Sequence, residues 1–146
     1  MMMKFGEFHD FMRRYFPIFL LGFFIAIISI AFSVAIWVDS HWRNHPDNPL
    51  YTMIFSGILV VLLCLGHFVM IRGKAWAIWP VLIVIATTLC MALSLVGHGL
   101  NGVLLAVLLA MPLLGVLVLN SSRHREMRRR LIELRKERQL KVQRPQ

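Results

Sequence analysis

The stretch IFSGILVVLLCLGHFVMIRGKAWAIWPVLIVIATTLCMALSLV, residues 54–96, consists of two long apolar runs joined by a turn whose only charges are Arg72 and Lys74. As a helix, each run can cross the roughly 30 Å hydrocarbon layer of a bilayer at about 1.5 Å per residue. Short connections rich in Lys and Arg stay in the cytoplasm, so these two cations orient both runs. Trp76 and Trp79 suit the headgroup level, and Pro80 suits the first turn of the helix that follows.

Outward from this pair, the runs on either side have the same character. Four spans result, at 17–38, 50–71, 75–97 and 100–119, with a lead-in over 1–16 and a tail over 120–146. Composition agrees: 58% of residues are hydrophobic, 16% are charged and the mean hydropathy is +0.70. Such values belong to a polytopic membrane protein and leave no room for a separate soluble domain. Fifteen of the 16 Lys and Arg residues fall on the side of the Arg72 turn, and Arg43 stands alone on the other. The expected fold is therefore all-α, with four transmembrane helices, both termini cytoplasmic and residues 39–49 in the periplasm of a bacterial inner membrane.

The lead-in carries Phe5, Phe8, Met12, Tyr15 and Phe19 at spacings of three and four, interleaved with Lys4, Glu7, Asp10, Arg13 and Arg14. This predicts a short interfacial amphipathic helix, with Pro17 in the first turn of the span behind it. A cleaved signal peptide ending near Ser33-Val34-Ala35 is the competing reading. The acidic lead-in and the length of the apolar run argue against it.

Small residues recur at helical spacing in two spans: Gly22, Ala26, Ser29 and Ser33 in the first, and Gly102, Ala106 and Ala110 in the fourth. Both sets predict faces where another helix approaches closely. Pro112 predicts a bend in the fourth span. A weakly polar stripe runs through Cys64 and His67 in the second span and Ala86, Thr87, Cys90 and Ser94 in the third. It reads as a helix contact in a plain bundle and as a path lining in a channel. His67 is an ionisable side chain within a span, where such groups are costly, but it lies only about a turn from the cytoplasmic end, where it can stay neutral and bond to a Ser, Thr or backbone oxygen.

His41, His45 and His98 are expected on the periplasmic side near Asp39 and Asp47, and imidazoles with carboxylates can take zinc, copper or nickel. No tight ligand motif is present, so the three are weak metal candidates and no cofactor is expected. The tail is read as a basic helix: Ser121 or Ser122 can cap it, Met127, Leu131 and Leu134 form a stripe, and residues 143–146 should fray. Arg123, Arg125, Arg128, Arg129, Arg130, Arg135, Lys136 and Arg138 are candidates for contact with anionic lipid headgroups or a protein partner. Nucleic acid is disfavoured, because Arg density alone is unspecific.

Missing chemistry narrows the function further. Proton-coupled carriers of the small multidrug type, which this chain resembles in size and span number, need a membrane carboxylate, and no span holds an acid. Four-span thiol oxidases need periplasmic cysteine pairs, whereas Cys64 and Cys90 lie inside apolar runs. Haem ligation needs histidines at one depth, and His67 and His98 are expected near opposite faces. The turn around Arg72 to Ala77 looks like that of many small bacterial membrane proteins, a resemblance of topology. The expectation is a non-enzymatic protein that binds a larger membrane partner, as an accessory or assembly subunit or as an immunity protein against a pore-forming toxin. Alternatives are a self-assembling pore, a small channel or holin-like, and periplasmic metal handling.

Overall fold

A computed structural model describes residues 5–143, and among them every regular element is helical. Lys4 of the expected lead-in and the expected fraying beyond Gln143 lie outside the described residues, as do the side chains of Phe5 and Phe8. Helix α1 spans Phe5–Trp42, α2 Asn48–Ile71, α3 Ile78–Ser94, α4 Gly102–Asn120 and α5 Ser122–Gln143. α1, α2, α4 and the stretch Ala75–Ser94, in which a 3-10 turn leads into α3, are long and apolar enough to cross a membrane.

Lead-in and first span form one unbroken helix of 38 residues. At about 1.5 Å per residue it is about 57 Å long, so part of it stands outside the hydrocarbon layer. Pro17 consequently lies inside a helix, not in a first turn. Its ring is on an exposed side of α1, where solvent or headgroups can satisfy the carbonyl four residues back that its missing N–H leaves free.

Between α2 and α3 the chain reverses through Gly73, whose φ of 70° is left-handed, and a single 3-10 turn at Ala75–Ala77. α3 ends at Ser94, short of the expected 97, because the chain turns at Leu95 and passes through Gly97 and Gly99, both with positive φ. Asn101 then caps α4, its side-chain oxygen accepting from the Val103 N–H at 3.0 Å.

α1 packs against α2, α3 and α4, while α2–α3 and α3–α4 are also neighbours. α1 and α3 thus touch across the bundle, leaving α2 and α4 at opposite corners. Val34, Val38, Leu63, Val81 and Val84 form the centre of the core, and Ala92, Leu95 and Leu108 a smaller cluster beyond it. Glycines permit the close crossings. A Cβ on Gly66 would lie 2.8 Å from Val81 Cγ2, and one on Gly115 would lie 3.4 Å from Ile85 Cδ1. The outer surface remains apolar, with Phe24, Met53, Ile58, Trp79 and Leu117 among its exposed side chains.

Candidate functional site

The two small-residue faces have different fates. Gly22, Ala26, Ser29 and Ser33 are all buried. A Cβ on Gly22 would lie 3.3 Å from Val118 Cγ1, and the Ser29 hydroxyl donates to Thr88 Oγ1 at 3.3 Å, joining α1 to α3. Gly102, Ala106 and Ala110 are instead exposed, because α4 turns Leu108, Pro112, Gly115 and Leu119 inward. At about 100° per residue, position 110 stands about 200° round the helix from 108. Spacing alone marks a face without saying which way it points, since lipid tails and a packed interior are equally apolar.

The polar stripe is also divided. Ala86, Cys90 and Ser94 are exposed and so is Cys64, whereas α3 buries Val81, Val84, Ile85, Thr88 and Ala92. Thr87 is half-buried and donates to the Ile83 carbonyl at 2.8 Å. The stripe therefore does not line a path through a single bundle. His67, by contrast, is buried between the edges of Phe19 and Phe23, each ring 5.1 Å away. Its Nδ1 lies 3.0 Å from the Leu63 carbonyl, and its Nε2 has no partner among the described residues.

At one end of the bundle, Trp37 meets Trp42 and Phe55 edge to face, while Trp42 lies tilted against Tyr51 and parallel to Phe55. Trp37 Nε1 donates to Ser94 Oγ at 2.9 Å, a second bond between α1 and α3. The structure brings His41 and His98 together here, rings 5.5 Å apart. His45 does not join them. It packs on Tyr51, and its Nδ1 lies 3.7 Å from the Asp47 carboxylate. Among the described residues no group of three His, Cys, Asp or Glu side chains is arranged to hold a metal ion.

The opposite end is closed by the tail, which folds back onto α1, α2 and α4. His124 is completely buried, Met127 nearly so, and Leu131 packs against the core. The Met127, Leu131 and Leu134 stripe thus faces the bundle. Gly73 seats this helix: a Cβ there would run into the Leu131 carbonyl and lie 3.3 Å from Arg135 Cβ. Glu126 links the two chain ends, 3.9 Å from Arg14 on α1 and 3.7 Å from Arg130 on its own helix.

Among the described residues neither ring nitrogen of His124 has a hydrogen-bond partner; burial and the nearby Glu126 carboxylate push the Tyr15 phenol up. Burial, the neighbouring Arg128 cation and His67 push the His124 imidazole down to about 4. Arg128, half-buried, is itself pushed down by burial and by Arg125. Arg135 is also half-buried, whereas Arg123, Arg125, Arg129, Arg130, Lys136 and Arg138 are exposed. Sequence reasoning missed His124. Its signal is the spacing to Met127 and Leu131, three and seven residues on, which puts it on the tail's apolar stripe. No known protein family, no curated protein and no solved structure matches this chain.

Proposed function

We propose that this chain is a small, non-enzymatic protein of the bacterial inner membrane, with both termini cytoplasmic, that works by binding a larger membrane protein. Accessory or assembly subunits and immunity proteins against pore-forming toxins act in this way, through shape-specific helix contacts without chemistry. The observation that carries the reading is the outward face of α4. Gly102, Ala106 and Ala110 are exposed at successive helical turns, while the comparable set on α1 is used up inside the fold. In lipid, such a face lets a partner helix approach closely and gain dispersion contacts and backbone proximity.

A second reading, self-assembly into a pore, draws on the exposed Ala86, Cys90 and Ser94 of α3, which could face water only between copies. One experiment separates the two. Tagged full-length chain is recovered from its native membrane in mild detergent, alongside Ala106→Leu/Ala110→Leu and Cys90→Leu/Ser94→Leu variants, and each is sized and identified by mass spectrometry. The binding reading expects one stoichiometric membrane partner that the α4 variant loses by tenfold or more and the α3 variant keeps. Recovery of a homo-oligomer alone, with bilayer conductance abolished by the α3 variant, overturns it in favour of the pore.

A further inference from the structure

Where the tail crosses the α2–α3 turn, it leaves a cleft of about 380 Å³. Four cations line it, Arg72 and Lys74 from the turn and Arg135 and Arg138 from α5, over an apolar floor that includes Ile71 and Leu131. No carboxylate lies within 4 Å of any of the four among the described residues. The ion pairs of this end are made elsewhere on the tail, at Glu126. Four uncompensated like charges around one cavity repel one another, and an anion in the cavity relieves that cost.

The position of the cleft along the bundle restricts the anion. Arg72 directly follows the last residue of α2, and its guanidinium lies 4.9 Å from the Phe68 ring centre. The Lys74 ammonium lies 5.5 Å from the ring centre of Trp76, which is itself exposed beside Trp79. Exposed tryptophans at the end of an apolar helix belong at headgroup level, so the cations stand at phosphate depth. Below them, exposed Ile71 and Phe68 continue the wall into the apolar belt. An occupant with phosphate at the level of the arginines and acyl chains along Phe68 and Ile71 satisfies both parts of the surface.

We infer that the cleft formed by Arg72, Lys74, Arg135 and Arg138 is a binding site for the headgroup of an anionic phospholipid, held by its phosphate. Four cations match a headgroup with two phosphates better than one with a single phosphate, which ranks diphosphatidylglycerol above phosphatidylglycerol. The inference rests on the proposed orientation only in expecting this end to meet an anionic leaflet. Binding in detergent does not depend on orientation, so the two can fail separately.

The test is native mass spectrometry of the full-length chain released from zwitterionic micelles. The micelles are titrated with diphosphatidylglycerol, phosphatidylglycerol or phosphatidylcholine, and inorganic phosphate is the soluble competitor. One retained anionic lipid per chain is expected, with phosphatidylcholine at least tenfold weaker. At about fivefold per cation, Arg72→Gln/Arg138→Gln should weaken binding about 25-fold. Arg123→Gln/Arg129→Gln, which removes the same charge outside the cleft, should change it less than twofold. Arg138→Gln alone, on an exposed position, should weaken binding about fivefold and serves as the decisive variant if the double change lowers helix content. Equal weakening by the control pair overturns the site in favour of diffuse attraction. Displacement by phosphate at the lipid's own concentration overturns the lipid as its ligand.

Discussion

The two ends of the bundle are held together by different means. At the tail end a helix is seated directly against a glycine turn, and an imidazole is buried with both nitrogens unpaired among the described residues. At the other end, indole, phenyl and imidazole rings pack at mixed angles, edge to face, tilted and stacked, around loops that remain exposed. A buried, unpartnered polar group is expensive, and water that reaches it relieves the cost, so a partial opening favours a complete one. Amphipathic rings at an interface keep one edge in contact with water and yield by small steps. The tail end should therefore fail abruptly, and the aromatic end gradually.

The largest expected effect comes from a matched pair of glycines. Gly73 and Gly97 both have left-handed φ, but a Cβ on Gly73 meets Leu131, whereas one on Gly97 meets nothing within 4 Å among the described residues. Gly97→Ala should cost only the backbone term, about 1–2 kcal/mol. Gly73→Ala adds the collision and should release the tail, raising the rate of tryptic cleavage among Arg128, Arg129 and Arg130 by tenfold or more. Equal cleavage in the two variants would remove the distinction between the ends.

His124 supplies the next test. Buried and neutral, it binds a proton only near pH 4, while a released tail takes one up near the ordinary value of 6.5. The undocked state thus holds more protons between those values. Tail docking is at full strength above about pH 6.5 and weakens as pH falls toward 4, by on the order of 1 kcal/mol per pH unit. His124→Phe, which keeps a ring and removes the unpaired nitrogens, should make tryptic cleavage of the tail, taken relative to that of an unstructured arginine peptide at the same pH, independent of pH between 7 and 5. A pH response that survives in this variant would place the switch in another group.

The smallest effect is expected at the aromatic end. Trp37→Phe removes one 2.9 Å bond to Ser94 and keeps most of the ring contacts. Interhelical bonds in membranes average about 0.6 kcal/mol, so the shift in detergent melting should be slight. Ser94→Ala should add little to it in a double-mutant cycle. A loss comparable to that of Gly73→Ala would mean that the aromatic end is as tightly seated as the tail end.

Four spans and a separate basic helix were determined by sequence alone, because the need to satisfy backbone polar groups in hydrocarbon leaves a long uncharged run few alternatives to a helix. Trp76, Trp79 and the Arg72–Lys74 turn were legible for the same reason, as residues that mark where apolar surroundings end. Which face of each helix points inward was decided only in three dimensions. Gly22 and Ser29 are buried, Gly102 and Ala106 are exposed, and the sequence spacing of the two sets is alike. In water, burial sorts polar from apolar residues and so marks the inner face of a helix. In a bilayer both faces of α4 are apolar, and the choice falls to shape: Gly115 admits Ile85, and Pro112 and Leu108 follow it inward. The same holds for the tail, where one apolar stripe fits either lipid or protein. The seat at Gly73 and the burial of His124 arise from tertiary packing between segments nearly 60 residues apart in the chain, which no local pattern encodes.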